Sequence, residues 1–533
     1  MKIGIFLGYG PQVKLNKEGL GRYIGGLMKG FLANGEEVTI ACPNWLLDSV
    51  KDLLKSFSIN EKRINWITTR TEPPLWRIYN YINKPRQKLK LKEKLWKYVD
   101  GMVSKTLDEV AVATNFFSII GYIAPRVLLA LLCFPFFLVG SVLYVMIALL
   151  KKGILFFKKK LGLTGFLTRI QKDDIGLRMF LRMNNAEILR LIDLINSKEK
   201  KDVWFVPSLF WPQVNNIKST VVINAPDLVS QKYAEGFADV YNAENAIMDC
   251  RKTLETGTYF VTYCAYLQKT LLIDDYRKPL QYTAAVPHVN NDMMWHIAID
   301  PALGKQIRAK KDLVNAFCDS LLRGLIAKTK YYECLRDIRW DAMKYIFFPS
   351  QIRPSKNIMT LVQAYEYLLR EKYIAHKLFL TCDPHRAPNF EQYLEDHKLY
   401  NDVVCFYDVP AQQLAALYRR ADLVVNPTLY EGGFPFTFGE GMSVGTPSLM
   451  SRIPQVEDVL KPAGLEEVMF DPYNWRDMAD KIEYWLPKTE ELYQKELPLY
   501  KELEKRTPDV VAAEYVEAFK RFITLDQTAN EKA

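Results

Sequence analysis

The 533-residue chain has only five histidines, none in an H-E-x-x-H pattern, which excludes a helical zinc-hydrolase site. Its eight cysteines are scattered from Cys42 to Cys405 without one C-x-x-C pair. They read as small buried hydrophobes of a reducing compartment, not as a disulfide framework or a metal site. Low-complexity tracts are missing, and a hydrophobic content of 49% rules out a disordered chain. The opening "MKIGIFLGYGP" lacks the unbroken apolar run of a signal peptide, because Gly8 and Gly10 interrupt it. It reads as a first buried strand.

Charge is also missing from one long segment. Val127 to Leu150 are 24 residues without a charge, and Val110 to Pro125 carry none either, so Arg126 alone breaks about forty apolar residues. Basic residues crowd the flanks. Lys84 to Glu109 hold eight Lys or Arg against four Asp or Glu, and Lys151, Lys152 and Lys158 to Lys160 add five more. Nearly all of the net charge of +10 therefore borders the apolar segment. Nucleic acid is excluded as the partner, since grooves require basic residues interleaved with polar and aromatic ones. An anionic membrane surface fits better.

Both lysine-rich flanks mark the cytoplasmic side, so the number of crossings is even. Pro125 and Pro135 offer bend points. We read the segment as a monotopic or re-entrant hairpin on the cytoplasmic face of the cell membrane. A buried pair of soluble helices and a two-span hairpin are the alternatives.

The length predicts two or three domains. Around the apolar segment the chain alternates strands and helices. Lys2 to Leu7 is a strand, and Leu20, Tyr23, Ile24, Leu27, Phe31 and Leu32 follow at helical spacing, stopped by Asn34-Gly35. Val38 to Ala41 is the next strand. Beyond the insert come a helix from Ala186 to Ile195 and strands in "DVWFVPSLF", "TVVINAPDLV", "GTYFVTYC" and "YTAAV". From Lys344 the strands "YIFF", "HKLFLTC", "DVVCFYD", "DLVVNPT", "TPSLMS" and "EEVMF" alternate with amphipathic helices. Continuous apolar strands between such helices mean parallel sheets covered on both faces. The expected organisation is an α/β domain over 1–295 with an insert over about 70–180, its apolar part at 110–150. A second doubly wound domain covers 300–490, and a helix opened by Pro508 covers 505–523. Two such Rossmann-like domains leave a cleft at the C-terminal ends of their strands.

The stretch "NPTLYEGGFPFTFGEGMSVGTPSLMSRIPQ", Asn426 to Gln455, lies at such a strand end. Glu431 stands in the turn and Glu440 about a turn into the next helix, with no other charge between them. Glycines let a ligand approach the backbone. Amides at a helix entrance favour a diphosphate. A carboxylate accepts hydrogen bonds from two vicinal hydroxyls, which suits a sugar or a ribose. Gly19 and Gly21 at the entrance of the first helix offer a second, weaker site for an anion.

On these residues the chain resembles the retaining nucleotide-sugar glycosyltransferases of GT-B fold, glycosyltransferase family 4 (glycosyltransferase group 1). "VPAQQLAALYRRADLVVNPTLYEGG" and "GEGMSVGTPSLMSRIPQVEDVL" look like that family's donor site, although eight residues separate the two acids here instead of seven. The resemblance implies that Glu431 holds hydroxyls of the donor sugar and Glu440 the nucleotide ribose. Gly432, Gly433 and Phe434 would give backbone contacts. "PSQIRPSKN" resembles the diphosphate clamp: Lys356 aligns, whereas Gln351 stands where the Arg usually lies and Arg353 follows two residues on, on the same face of an extended chain. The Gly19–Gly21 loop, the "APDL" turn and the "HVNND" loop follow the family's order. Pro226 replaces its usual His while Asp227 is kept as an acceptor-side residue.

The resemblance implies a hexosyltransferase-type, nucleotide-sugar-dependent enzyme with retention of configuration, no metal and no cofactor beyond the donor. The greasy insert in the acceptor-side domain adds the expectation of a lipid-linked glycan acceptor at the membrane, in polysaccharide or glycolipid biosynthesis. The missing His and displaced Arg also fit a non-catalytic, membrane-tethered sugar-binding or scaffold subunit. A phosphorylase or sugar-phosphate synthase of the same fold, with a soluble substrate, is disfavoured by the insert.

Overall fold

The computed structural model describes residues 1–11, 13–17, 19–69, 175–198, 200–227, 243–298, 311–326 and 339–532, with single residues at 73 and 229 and parts of 109–128. Two parallel sheets organise these residues. The first joins β1 (Lys2–Phe6), β2 (Glu37–Cys42), β3 (Ile64–Thr68), β4 (Val203–Val206), β5 (Thr220–Asn224), β6 (Tyr259–Thr262) and β7 (Thr283–Ala285) in the order 3-2-1-4-5-6-7. The second joins β8 (Tyr345–Phe348), β9 (Lys377–Leu380), β10 (Val403–Cys405), β11 (Leu423–Asn426), β12 (Ser448–Ser451) and β13 (Met469–Phe470) in the order 10-9-8-11-12-13. Residues such as Tyr345–Phe348 and Leu423–Asn426 are buried without alternation, because helices cover both faces.

The strand order reverses between β1 and β4 in the first sheet and between β8 and β11 in the second. Crevices for ligands open at such switch points, outside the C-terminal ends of the strands. The loops that follow β8 and β11 carry Lys356 and Glu431.

All strands read from the sequence are present. The helix α1 spans Gly19–Ala33 and stops at Gly35, whose φ is +79°. Other elements extend further than expected. The helix read at Ala186 to Ile195 runs Ile175–Ser197, and the last helix runs Pro508–Lys532 rather than ending at 523. The helices Leu47–Ser56 and Ala243–Thr256 and strand β3 escaped the reading, lying in charged stretches of weak pattern.

The last helix returns to the N-terminal domain. Tyr515, Phe519 and Phe522 belong to its core, beside Phe31 and Phe205. A Cβ on Gly30 would stand 1.9 Å from the Pro508 carbonyl oxygen, so only glycine lets the two helices meet so closely.

Residues 129–174, with the larger part of the apolar hairpin, lie outside the described residues. Among the described residues no helix is long and apolar enough to cross a membrane. A short helix from Phe116 is described, and the Asn115 side chain caps it by accepting the Ser118 N–H at 2.9 Å. Val110, Ala113 and Ile119 are buried in the N-terminal core. Phe116 (67% exposed), Phe117 (84%), Ile120, Ile123 and Leu128 are turned to the outside.

Candidate active site

The site starts from the loop after β8. Arg353, in extended conformation, precedes a 3-10 turn over Pro354–Lys356. Asn357 closes that turn with φ +54° and αL geometry, which asparagine tolerates better than most residues. Its side chain donates to the carbonyls of Pro427 (3.0 Å) and Pro472 (2.7 Å). The Ser355 carbonyl accepts the Thr428 hydroxyl at 3.0 Å and the Leu429 N–H at 2.8 Å. These bonds stitch the loop after β8 to the loop after β11. Their product is an ion pair: the Lys356 ammonium donates to Glu431 Oε1 at 2.5 Å, with both side chains three-quarters or more buried. Arg353 lies further out and donates to Gln351 Oε1 at 2.9 Å. Gln351 thus anchors Arg353.

Asp227 faces this pair from the other domain. It follows β5, and its carboxylate accepts the Val229 N–H at 3.2 Å. Burial pushes its carboxyl above the usual range. The Val229 bond opposes that, Glu431 adds to it, and Lys356 and Arg353 pull it back. The four predicted residues Asp227, Arg353, Lys356 and Glu431 therefore share one electrostatic field.

The glycine turn is pressed against the N-terminal domain. A Cβ on Gly432 would stand 2.1 Å from the Pro226 carbonyl oxygen and 3.4 Å from the Asp227 Cβ. One on Gly433 would stand 2.9 Å from the Tyr263 Cβ. The Gly432 carbonyl accepts the Cys264 thiol at 3.6 Å. The Phe434 carbonyl accepts from His288 Nε2 at 2.7 Å. These glycines serve the approach of the two lobes here. At the first helix, Gly19 borders open space, whereas a Cβ on Gly21 would collide with the Leu15 carbonyl. Gly21 is thereby used for packing.

His288 also stacks on Phe436, with centroids 3.9 Å apart and planes 25° from parallel. Burial holds its imidazole below the usual histidine value, with the Phe434 and Val289 carbonyls opposing. It is a neutral donor that fastens the turn to the N-terminal lobe.

Glu440 sits in the helix Phe436–Val444, which ends at Gly445 with φ +92°. Its side chain is only 4% exposed. Oε1 accepts from Arg22 Nη1 at 2.5 Å and from Asn291 Nδ2 at 2.6 Å, and Oε2 accepts the Tyr418 hydroxyl at 2.5 Å. Arg22 comes from the first turn of α1, 418 residues away in the chain. The reading of the sequence missed Arg22, Asn291, Tyr418 and Asn357. Asn291, Asn357 and Tyr418 carried a signal, their places in the "HVNND", "PSQIRPSKN" and "VPAQQLAALYRRADLVVNPTLYEGG" segments, whereas Arg22 carried none.

Two facing doubly wound domains, linked by a last helix that returns to the first, define the GT-B class of fold. Solved structures agree. Sucrose-phosphate synthase from Thermosynechococcus elongatus superposes with a TM-score of 0.54 at 12% identity, covering 98% of this chain and 99% of that one. Anabaena HepE in complex with UDP-glucose does so at 0.52 and 10%, covering 97% and 100%. At these identities the likeness shows the fold alone. The family evidence is in the second domain: residues 338–497 match the family of glycosyl transferases group 1. O-antigen chain mannosyltransferase B of Escherichia coli is 30% identical over 123 residues, 23% of this chain and 32% of that protein. The alignment thus spans about a third of that relative's length.

Proposed function

We propose that the chain is a retaining glycosyltransferase that moves a sugar from a nucleotide-diphosphate donor to a lipid-linked glycan at the cytoplasmic membrane surface. The observation that carries this reading is the Lys356–Glu431 pair, fixed at the β8–β11 switch point with Asp227 facing it from the other lobe. It is supported by the family match over residues 338–497 and by neighbours whose structures hold UDP or UDP-glucose.

In this reading Lys356 and Arg353 neutralise the departing diphosphate, the electrostatic contribution that is usually largest in such sites. Glu431 holds donor-sugar hydroxyls and is itself oriented by Lys356. The acceptor hydroxyl attacks from the leaving-group side, and its proton passes to a departing phosphate oxygen. Asp227 orients the acceptor. Contact between the lobes excludes water and limits hydrolysis. The supply of cationic charge by Arg353 and Lys356 leaves no requirement for a metal.

The acceptor and the location rest on the insert. Its described part turns Phe116, Phe117 and Ile120 outward beside strongly basic flanks, a combination that suits an anionic bilayer.

The test is a screen of labelled nucleotide sugars with membranes that contain the protein, reading label in the lipid fraction. Transfer with one donor that is lost in Glu431→Ala is the expected result. Wild-type membranes that transfer none, while the purified protein still binds a nucleotide, would favour the non-catalytic subunit.

A further inference from the structure

Oε1 of Glu440 is fully occupied. A carboxylate offers about four acceptor sites over its two oxygens. Arg22 and Asn291 fill both on Oε1, and Tyr418 fills one on Oε2. A vicinal diol that grips the carboxylate needs a site on each oxygen, so one of the Oε1 donors must leave.

The donors differ in how firmly they are held. Tyr418 is fully buried and packs edge-on against Phe347 at 5.1 Å. Asn291 lies in a segment tied down on both sides: the Asn290 N–H donates to the Arg506 carbonyl at 3.1 Å, and the Met293 N–H to the Ser443 hydroxyl at 2.9 Å. Arg22 belongs to the opposite lobe, and its side chain is 42% exposed. It stands one turn from Gly19, which borders open space. Its guanidinium is 5.9 Å from the Phe436 ring centroid. Of the three donors, Arg22 is the one with room to depart.

We propose that Arg22 is a placeholder for the donor's ribose, a positioning residue that occupies Glu440 until the nucleotide diol displaces it. Binding of the donor then breaks an ionic tie between the lobes and frees a guanidinium at the entrance of α1. This deepens the reading of Glu440 as the ribose-side acid and rests on it. Removal of Arg22 deletes the competitor and opens an acceptor site on Oε1 while Asn291 and Tyr418 stay in place, so the diol gains in affinity.

The experiment compares UDP and GDP with their 2′,3′-dideoxy analogues by isothermal titration on the full chain, for wild type, Arg22→Ala and Arg22→Gln. Contributions of the diphosphate cancel in the ratio of dideoxy to ribose dissociation constants. That ratio is expected to rise about fivefold in Arg22→Ala, the factor that loss of a half-exposed ionic competitor implies. Arg22→Gln, which retains a neutral donor, is expected to give a smaller rise. A ratio that stays level or falls in both variants overturns the proposal. Absence of any preference for the diol in wild type and in both variants overturns the ribose role of Glu440, and the proposal with it.

Discussion

Gly432→Ala separates the two uses that a glycine turn can have. A Cβ there would lie 2.1 Å from the Pro226 carbonyl oxygen, where ordinary contact begins near 3.4 Å. The obstacle is backbone and cannot rotate aside. Overpacking of this kind costs about 1–3 kcal/mol if the lobes stay together. The molecule can escape by separating them. It then loses the His288–Phe434 bond, at 2.7 Å, and the Arg22–Glu440 pair, at 2.5 Å. Neither lobe's own core is touched, so the melting temperature should fall by only a few degrees. The proposed transfer, however, needs Asp227 beside Glu431. A misplacement of about 1 Å can cost on the order of 100-fold in rate. The assay is sugar transfer under saturating donor, with hydrogen exchange of residues 285–298 as the readout of lobe contact. Gly324→Ala, inside the helix Lys311–Ile326 where a Cβ meets only the Gln413 amide at 3.8 Å, is the control and should be nearly silent. Transfer within twofold of wild type in Gly432→Ala, with unchanged exchange, would refute the reasoning.

Three further outcomes follow from particular contacts. Lys356→Met and Glu431→Gln should each lower transfer about 100-fold or more, and the double variant should cost little beyond either one, because each group orients the other; additive losses in kcat/KM would count against the pair. Glu496 is fully buried and accepts the Ser448 N–H at 3.1 Å, and burial holds its carboxyl well above the usual range. The unfolded chain releases that proton at an ordinary carboxylate pH, so wild type loses stability as pH rises from there toward the folded value, whereas Glu496→Gln does not. The variant's advantage in Tm should therefore grow from pH 4 to pH 7, on the order of a few degrees, and a pH-independent difference would sink the account. Under the proposed membrane contact, Phe116→Asp combined with Phe117→Asp should reduce sedimentation with phosphatidylglycerol vesicles about tenfold or more, since two exposed aromatic rings are replaced by charges that the bilayer repels; undiminished sedimentation would remove this helix from that contact.

The sequence carried the local half of the site. "YIFF" and "DLVVNPT" read as buried parallel strands because such strands show no alternation. The turn after each was marked by Pro, Gly and charge, so Lys356, Arg353 and Glu431 were legible as residues at strand ends. The N-terminal half was harder. Leu47–Ser56 and Ile64–Thr68 lie among charged residues whose apolar pattern is weak, and tertiary contact decided their form.

Composition and periodicity determined that this chain would form two covered parallel sheets, because both signals act over a few residues and repeat along the chain. They also placed two acids at the end of one strand and the start of the next helix. What those acids touch was decided by the approach of the lobes. Arg22 and Glu440 are 418 residues apart, and no local pattern records their meeting. The same holds for Gly432, whose missing side chain looked like an opening for a ligand and is also a seat for Pro226. Most of the secondary structure here is set by neighbours in sequence, whereas a cleft is set by how two finished domains come to rest on one another.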